Sequence, residues 1–199
     1  MKRLLCVVAA VAFGACTDNS GPGGVDDTRL SIVRQDSLAP PLIAARDSFW
    51  AKVGDGRELR MFYQGAQPGD TGDEFLRFEI SDDGLYRKPD GSAFQAGDSI
   101  LITVTVVDPL RFLLEFTPAN LQFNPEHPAR LRIRYAHADK DFDDDGDVDA
   151  ADNDIEIELD LWRRNAAGAL WFKVGAVKFE ELDEIDANIR TFSQYAVAW

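Results

Sequence analysis

Ala129-Arg-Leu-Arg-Ile-Arg-Tyr135 alternates strictly between apolar and basic side chains. Successive side chains of a β-strand point to opposite faces, so this period of two predicts a strand with one face in a core and the other toward water. Similar short runs recur at 76–80, 100–106, 112–116 and 195–199, with turn residues between them. The pattern therefore predicts an all-β fold, a single-domain antiparallel β-sandwich.

A second alternating run suggests a partner for this strand. In Ile155–Leu161 the apolar residues alternate with Glu156, Glu158 and Asp160. Antiparallel pairing with Ala129–Tyr135 would place arginines opposite carboxylates, and a one-residue slip would bury those charges. We therefore expect a β-hairpin here, with the intervening residues as its connection and no helix after Asp152.

Two further elements follow from local patterns. The turn residues Gly54-Asp55-Gly56 separate two alternating runs, 49–53 and 59–63, which predicts another hairpin. The segment Glu180–Ile189 places apolar residues three and four apart, which indicates a helix.

The connection between the two charged runs has the spacing of a calcium-binding loop. Asp141–Asp152 carries carboxylates at positions 1, 3, 5, 9 and 12 of a twelve-residue loop, and its glycine stands at position 6. EF-hand loops require this spacing, and calcium prefers such hard oxygen ligands. The alternative is a solvated acidic turn. In the metal-binding interpretation the ligands are Asp141, Asp143 and Asp145 directly, Asp147 through its backbone carbonyl, Asp149 through water, and Asp152, which closes the site.

This loop departs from the EF-hand pattern at its last position. EF-hands have a glutamate where this chain has Asp152, whereas dockerin loops have an aspartate there, which the loop thus resembles. In both families the loop leads into a helix, unlike the hairpin expected here. Gly146 permits the sharp turn, and Val148 is expected to pack toward the core. We expect the bound Ca²⁺ to be structural.

The N-terminus reads as an export signal. Lys2-Arg3 precedes a short apolar run, 4–13, and residues 1–15 satisfy the physical criteria of a signal peptide. The run is well below the roughly 20 residues that span a bilayer. Phe13-Gly14-Ala15-Cys16 resembles a bacterial lipobox, which implies that Cys16 becomes the lipidated first residue. Residue 17 is not aspartate, so we expect an outer-membrane or cell-surface lipoprotein, the periplasmic face being the alternative.

Charge and cysteine content narrow the possible partners. Removal of Lys2 and Arg3 with the signal peptide changes the net charge from −14 to −16. This argues against nucleic acid as a partner. Twelve acidic residues and one lysine lie between Asp139 and Asp160, which favours a cation site. Cys6 is removed and Cys16 lipidated, so the exported domain has no disulfide.

The rest of the chain shows no catalytic motif. We expect a flexible tether and lead-in at 16–45 and the β-sandwich domain at 46–199. His127 and His137 have no metal or nucleophile spacing near them. In a strand, Trp162 would point to the same polar face as Glu158 and Asp160, because alternate residues share a face. It is therefore the candidate exposed aromatic residue.

The C-terminal part resembles a ZU5-type domain over about residues 76–199. The resemblance rests on Pro118-Ala-Asn-Leu-Gln-Phe-Asn-Pro125, on the strand of Trp171 and on Phe192-Ser-Gln-Tyr195. It implies a β-sandwich interaction module. In some relatives a His-Phe-Ser motif supports self-cleavage, but here Thr191 replaces the histidine, so cleavage is not expected.

These observations lead to one main hypothesis about function. The chain is interpreted as a bacterial cell-envelope lipoprotein, anchored through Cys16, whose calcium-stabilised sandwich acts as a binding or scaffolding module rather than an enzyme. The alternatives are a secreted, carboxylate-dependent hydrolase acting on glycans, and a passive surface protein whose ion site only stabilises the fold. Whether the partner is a protein or a glycan stays open.

Overall fold

Ala129–Arg134 lies within an antiparallel sheet in the computed structural model, which describes residues 23–199. Its apolar side chains are buried and its arginines are on the opposite face, as the alternation predicts. Two antiparallel sheets enclose the core, so the predicted all-β sandwich is confirmed. The predicted signal peptide and Cys16 lie outside the described residues.

The described residues form strands with one short helix. A six-stranded sheet has the order β1-β5-β6-β13-β9-β10 and a five-stranded sheet the order β11-β12-β8-β3-β2; β4 and β7 pair separately. The elements are β1 Arg46–Lys52, β2 Arg57–Gln64, β3 Thr71–Ile80, β4 Leu85–Arg87, β5 Ser99–Asp108, β6 Leu113–Thr117, β7 Gln122–Phe123, β8 Ala129–Arg134, α1 Ala150–Glu158, β9 Asp160–Arg164, β10 Phe172–Lys173, β11 Val177–Phe179, a 3₁₀ turn at Glu180–Leu182, β12 Glu184–Ile189 and β13 Gln194–Ala198.

An aromatic cluster lies at the centre of the core between the two sheets. The ring of Phe78 on β3 lies 5.3 Å from that of Phe116 on β6 and 5.5 Å from that of Phe192 (centroid distances). Phe123 adds an edge-to-face contact with Phe192 at 5.0 Å. All four side chains are almost completely buried. The apolar faces predicted by the alternation thus pack against each other to form the core. This packing holds the two sheets together without a disulfide.

Strand β8 pairs with a segment for which the sequence predicted a helix, and the charged side chains of the two lie on the same face. Residues 184–189 are β12, so the helix predicted over Glu180–Ile189 is wrong. In the register Glu184 lies opposite Arg134 and Asp186 opposite Arg132. Arg132 lies 3.0 Å from Glu184 and Arg130 donates to Asp186. The expected arginine–carboxylate pairing occurs, but with β12, because β12 has the complementary alternation.

The hairpin expected around Gly54-Asp55-Gly56 is also wrong. The turn is present, but β1 pairs with β5 while β2 pairs with β3 in the opposite sheet. Ala51 and Leu59 are both buried in the same core cluster, from opposite sheets. The alternation identified the buried faces of both strands; it carried no information about which sheet each strand joins.

The calcium-loop hairpin is wrong as well, because the predicted loop leads into a helix. Residues 150–158 form α1, and β9 then joins the six-stranded sheet beside β13 instead of pairing with β8. Asp149 caps the helix and Ala150-Ala151 favours helix, which outweighs an alternation of only a few residues. Glu156 bonds Lys140 rather than an arginine of β8.

The lead-in segment packs on the outer face of the six-stranded sheet. Leu30 is buried there with Trp162, Trp171 and two alanines of β13, in a second apolar cluster separate from the main core. Trp162 is only 8% exposed and its indole N–H donates to the carbonyl of Ala198 at 3.0 Å. The expectation that Trp162 is an exposed aromatic is therefore wrong, because residues 25–32 cover it. Within residues 23–199, no helix has the length and apolar character needed to cross a bilayer.

Candidate metal centre

Core packing anchors the start of the acidic loop. Phe142 is 6% exposed, and its ring meets the ring of Trp199 edge-on with centroids 5.6 Å apart. Val148, which was expected to pack inward, is 65% exposed, so that prediction is wrong. Lys140 bonds Glu156 at 2.9 Å and Asp183 at 2.7 Å. The loop therefore begins at a buried aromatic residue beside a lysine that joins it to α1.

Asp152 closes the loop from within the protein. One carboxylate oxygen accepts from the backbone N–H of Phe142 at 2.6 Å and from that of Asp143 at 3.3 Å. The other accepts from the N–H of Asp149 at 2.9 Å. These bonds, the Asp149 one first, lower the pKa of Asp152 against the opposing effect of burial. Its stabilising effect is thus present above the ordinary carboxyl pKa and is lost as the pH falls through the lowered one.

Asp149 starts the helix that follows the loop. Its side chain accepts from the N–H of Ala151 at 2.6 Å, and the reciprocal contacts with Asp152 form a capping box. Such a cap satisfies N–H groups that have no partner inside the helix, which contributes about 0.5–2 kcal/mol. The end of the loop is thereby joined to the first turn of α1.

Three of the six predicted ligands converge. Carboxylate oxygens of Asp141, Asp143 and Asp145 lie within 4.8 Å of one another. Asp141 is oriented by the N–H groups of Asp145 and Gly146, at 3.1 and 3.0 Å. The carboxylates of Asp147, Asp149 and Asp152 are not part of this convergence; Asp149 and Asp152 are engaged by the helix start.

Several carboxylates of the loop lie close together, and their charges affect one another's pKa values. Partial desolvation, and then the charges of Asp145, Asp152 and Asp141, raise the pKa of Asp143. Asp144 points the other way: Arg34 holds it with two bonds, at 2.6 and 2.9 Å, and this hydrogen bonding lowers the pKa of Asp144. Arg34 also approaches Asp139 at 3.4 Å. No spacing in the sequence could reveal this partner, because Arg34 precedes Asp144 by 110 residues.

A cleft of about 420 Å³ opens beside the loop. Arg34 and Arg111 line it together with apolar side chains of the lead-in and the ring of Trp199. The loop contributes Asp141, Asp143 and neighbouring residues to its wall. The first four residues of the acidic loop, 141–144, therefore form part of the wall of this cleft.

The donor set fits calcium better than a softer metal. The three convergent carboxylates provide oxygen ligands, and Ca²⁺ accepts six to eight such ligands in flexible geometry. Within residues 23–199 they are the one group of potential ligand side chains found with such convergence. Gly146 has φ of +101°, a backbone conformation that residues with a Cβ rarely adopt, and this is the glycine that the loop spacing places at the turn.

Replacing Gly146 by alanine tests the turn. Open space surrounds the position, so the cost comes from the backbone and not from a clash. An ion bound by several groups of the loop would hold residue 146 in this conformation, so the strain of the substitution would oppose calcium binding. We expect Gly146→Ala to weaken calcium binding by about tenfold, which corresponds to roughly 1.4 kcal/mol, as measured by calorimetry. Gly23→Ala, also in open space but without positive φ, should leave the affinity unchanged.

Other candidates for chemistry are accounted for structurally. His137 lies 3.2 Å from Asp73 and meets the ring of Tyr63 edge-on. The buried carboxylates in the described part of the chain are Asp152, Glu184 and Asp186, and each has hydrogen-bonding or ion-pairing partners. Comparison of the chain with protein-family models, with curated proteins and with solved structures gave no match.

Proposed function

We propose that this protein is a bacterial cell-envelope lipoprotein whose β-sandwich holds one Ca²⁺ and acts as a binding or scaffolding module. The observation that carries the calcium part is the convergence of Asp141, Asp143 and Asp145 around a loop with glycine at its turn. Like charges repel, so an arrangement of this kind is stabilised when a cation occupies its centre. The bound ion would supply electrostatic neutralisation and hold these three side chains in place.

The position of the loop supports a structural ion. Phe142, Asp149 and Asp152 connect both ends of the loop to the core or to α1. Calcium would therefore tighten a segment that is already anchored, rather than trigger a large rearrangement. The cleft that this segment borders, with Arg34 and Arg111 in its wall, is the natural place for a protein or glycan partner.

The sequence resemblances support the rest of the proposal. The lipobox-like residues ending at Cys16 imply lipidation after export, and the ZU5-like pattern over 76–199 implies an interaction module. The dockerin-like loop leads into a capped helix at Ala150–Glu158, which suits that resemblance better than the expected hairpin did.

Calorimetric titration with calcium tests the ion site. We expect a dissociation constant on the order of 10⁻⁴–10⁻³ M, as for extracellular modules. Asp143→Ala combined with Asp145→Ala should abolish the binding heat. The matched control replaces the exposed Asp82 and Asp83 by alanine, with the same charge change, and should retain it. Absence of binding by the unmodified chain at millimolar calcium would refute the proposal.

Mass spectrometry of the protein isolated from bacterial envelopes tests the anchor. We expect the N-terminal residue to be Cys16 carrying acyl chains, and Cys16→Ser to release the protein from the membrane fraction. An unmodified Cys16, or a chain that retains residues 1–15, would contradict the lipoprotein assignment.

A further inference from the structure

The connection between β9 and β10 carries exposed apolar side chains between basic residues. Asn165-Ala-Ala-Gly-Ala-Leu-Trp-Phe172, named here the apolar loop, contains no charged residue. Leu170 is 48% exposed and Phe172 is 39% exposed. Arg163 and Arg164 precede the apolar loop and Lys173 follows it. An exposed apolar segment between basic residues is thus placed on a protein of net charge −14.

The described chain begins against this same loop. Val25 and Trp171 exchange two backbone hydrogen bonds, of 2.9 and 2.7 Å. Gly24 lies so close to Leu170 and Phe172 that a Cβ at this position would come within 2.8 Å of both. Asp27 then accepts from the indole N–H of Trp171 at 2.6 Å. The start of the domain is therefore tied to the apolar loop.

Chain length limits how far this loop can lie from Cys16. Six residues lie between Cys16 and Gly23, and the seven Cα-to-Cα steps of an extended chain span at most about 25 Å. A lipid on Cys16 would hold the apolar loop within this distance of the bilayer. A membrane is therefore the surface that Leu170 and Phe172 would meet most often.

The calcium loop lies at the other end of the same strands. In the pairing of β9 with β13, Arg164 lies opposite Gln194, next to the apolar loop, whereas Asp160 lies opposite Ala198. Trp199, which follows Ala198, packs against Phe142 of the calcium loop. The lead-in runs between the two ends, from the bridge of Val25 with Trp171 to the bridge of Ile32 with Ala198.

From these contacts we infer that the apolar loop is a membrane-contacting surface, which orients the domain so that the calcium loop lies away from the bilayer. The inference rests on the proposed lipid anchor at Cys16. Leu170 and Phe172 would enter the interface between headgroups and acyl chains, while Arg163 and Lys173 would lie near anionic headgroups. The acyl chains on Cys16 would supply the attachment, and contacts of this kind would orient the attached domain on the bilayer.

Hydrogen exchange on vesicles tests this inference without depending on lipidation in the cell. After removal of residues 1–15, Cys16 is the one thiol of the chain. It can be coupled to a maleimide lipid in vesicles of phosphatidylethanolamine and phosphatidylglycerol. We expect the amides of 165–170 to exchange several-fold more slowly on vesicles than in solution. Amides near Leu38, which is 89% exposed in the segment bridged to Ala138, should not change.

Two variants identify the side chains responsible. Leu170→Asp with Phe172→Asp should remove the vesicle-dependent slowing, whereas Leu38→Asp with Leu110→Asp, at other exposed apolar positions, should retain it. Equal exchange of the unmodified loop on vesicles and in solution would overturn the inference. Slowing that appears in solution as concentration rises would also overturn it, because it would assign the loop to contact with a second copy. Failure of acylation at Cys16, detected separately by mass spectrometry, would refute the anchor alone.

Discussion

Saturating calcium is expected to raise the melting temperature of the chain from Cys16 to Trp199 by about 5–10 °C relative to chelator. At ~10 mM calcium and a dissociation constant on the order of 10⁻⁴ M, binding to the folded state alone adds about 2.7 kcal/mol. For a domain of this size each kcal/mol shifts the midpoint by about 2–4 °C. Differential scanning calorimetry in calcium and in chelator measures the shift.

Variants of the loop separate calcium binding from general charge effects. Asp141→Ala removes the carboxylate that the N–H groups of Asp145 and Gly146 orient, so its melting temperature should no longer respond to calcium. Magnesium, which demands stricter geometry, should give a smaller shift than calcium. Equal midpoints of the unmodified chain in calcium and in chelator would contradict a structural role for the ion.

Truncation of Phe78 to alanine is expected to cause the largest loss of stability, about 3–5 kcal/mol. The ring of Phe78 contacts those of Phe116, Phe123 and Phe192, at centroid distances of 5.3, 6.0 and 5.5 Å. Its removal leaves a cavity at the point where the two sheets meet, in a domain with no disulfide to limit the damage. Urea unfolding, followed by fluorescence in chelator, measures the change.

The exposed Phe179 provides the control for this truncation. Phe179 lies on β11 and is 43% exposed. Phe179→Ala should change the free energy of unfolding by no more than about 0.5 kcal/mol. A loss for Phe78→Ala as small as that for Phe179→Ala would show that the sheets are not joined through this aromatic cluster.

Alternation predicted the buried faces of the fold but not its strand partners. The runs in β3, β5, β6 and β8 point their apolar residues into the core, because a period of two is a local property of one strand. Pairing depends on distant segments. β8 pairs with β12 rather than with Ile155–Leu161, and both carry acidic residues at alternating positions. Charge complementarity alone could not distinguish these two candidates.

The short helix α1 was missed because two local signals competed. The alternation of residues 155–161 favours a strand, but Asp149 with Asp152 three residues later resembles a capping box. The helix needs only two turns to carry the chain from the calcium loop to β9. The capping-box residues were a better guide to its presence than hydrophobic periodicity.

The sequence predicts the part of the candidate site whose residues lie close together in the chain. Asp141, Asp143 and Asp145 lie within five residues of one another, so their spacing alone predicts that they converge. Arg34 and Trp199 reach the loop from the two ends of the described chain. Contacts of this kind depend on the complete fold, and no short motif carries them.

A crystal structure of the domain grown in millimolar calcium tests the central claim most directly. We predict one Ca²⁺ bound by Asp141, Asp143 and Asp145, with oxygen–calcium distances of about 2.3–2.6 Å, a ligand from the carbonyl of Asp147 and an anomalous signal at that position. Phe142 should remain buried against Trp199. A loop without bound calcium under these conditions, or an ion held by other residues, would contradict the account.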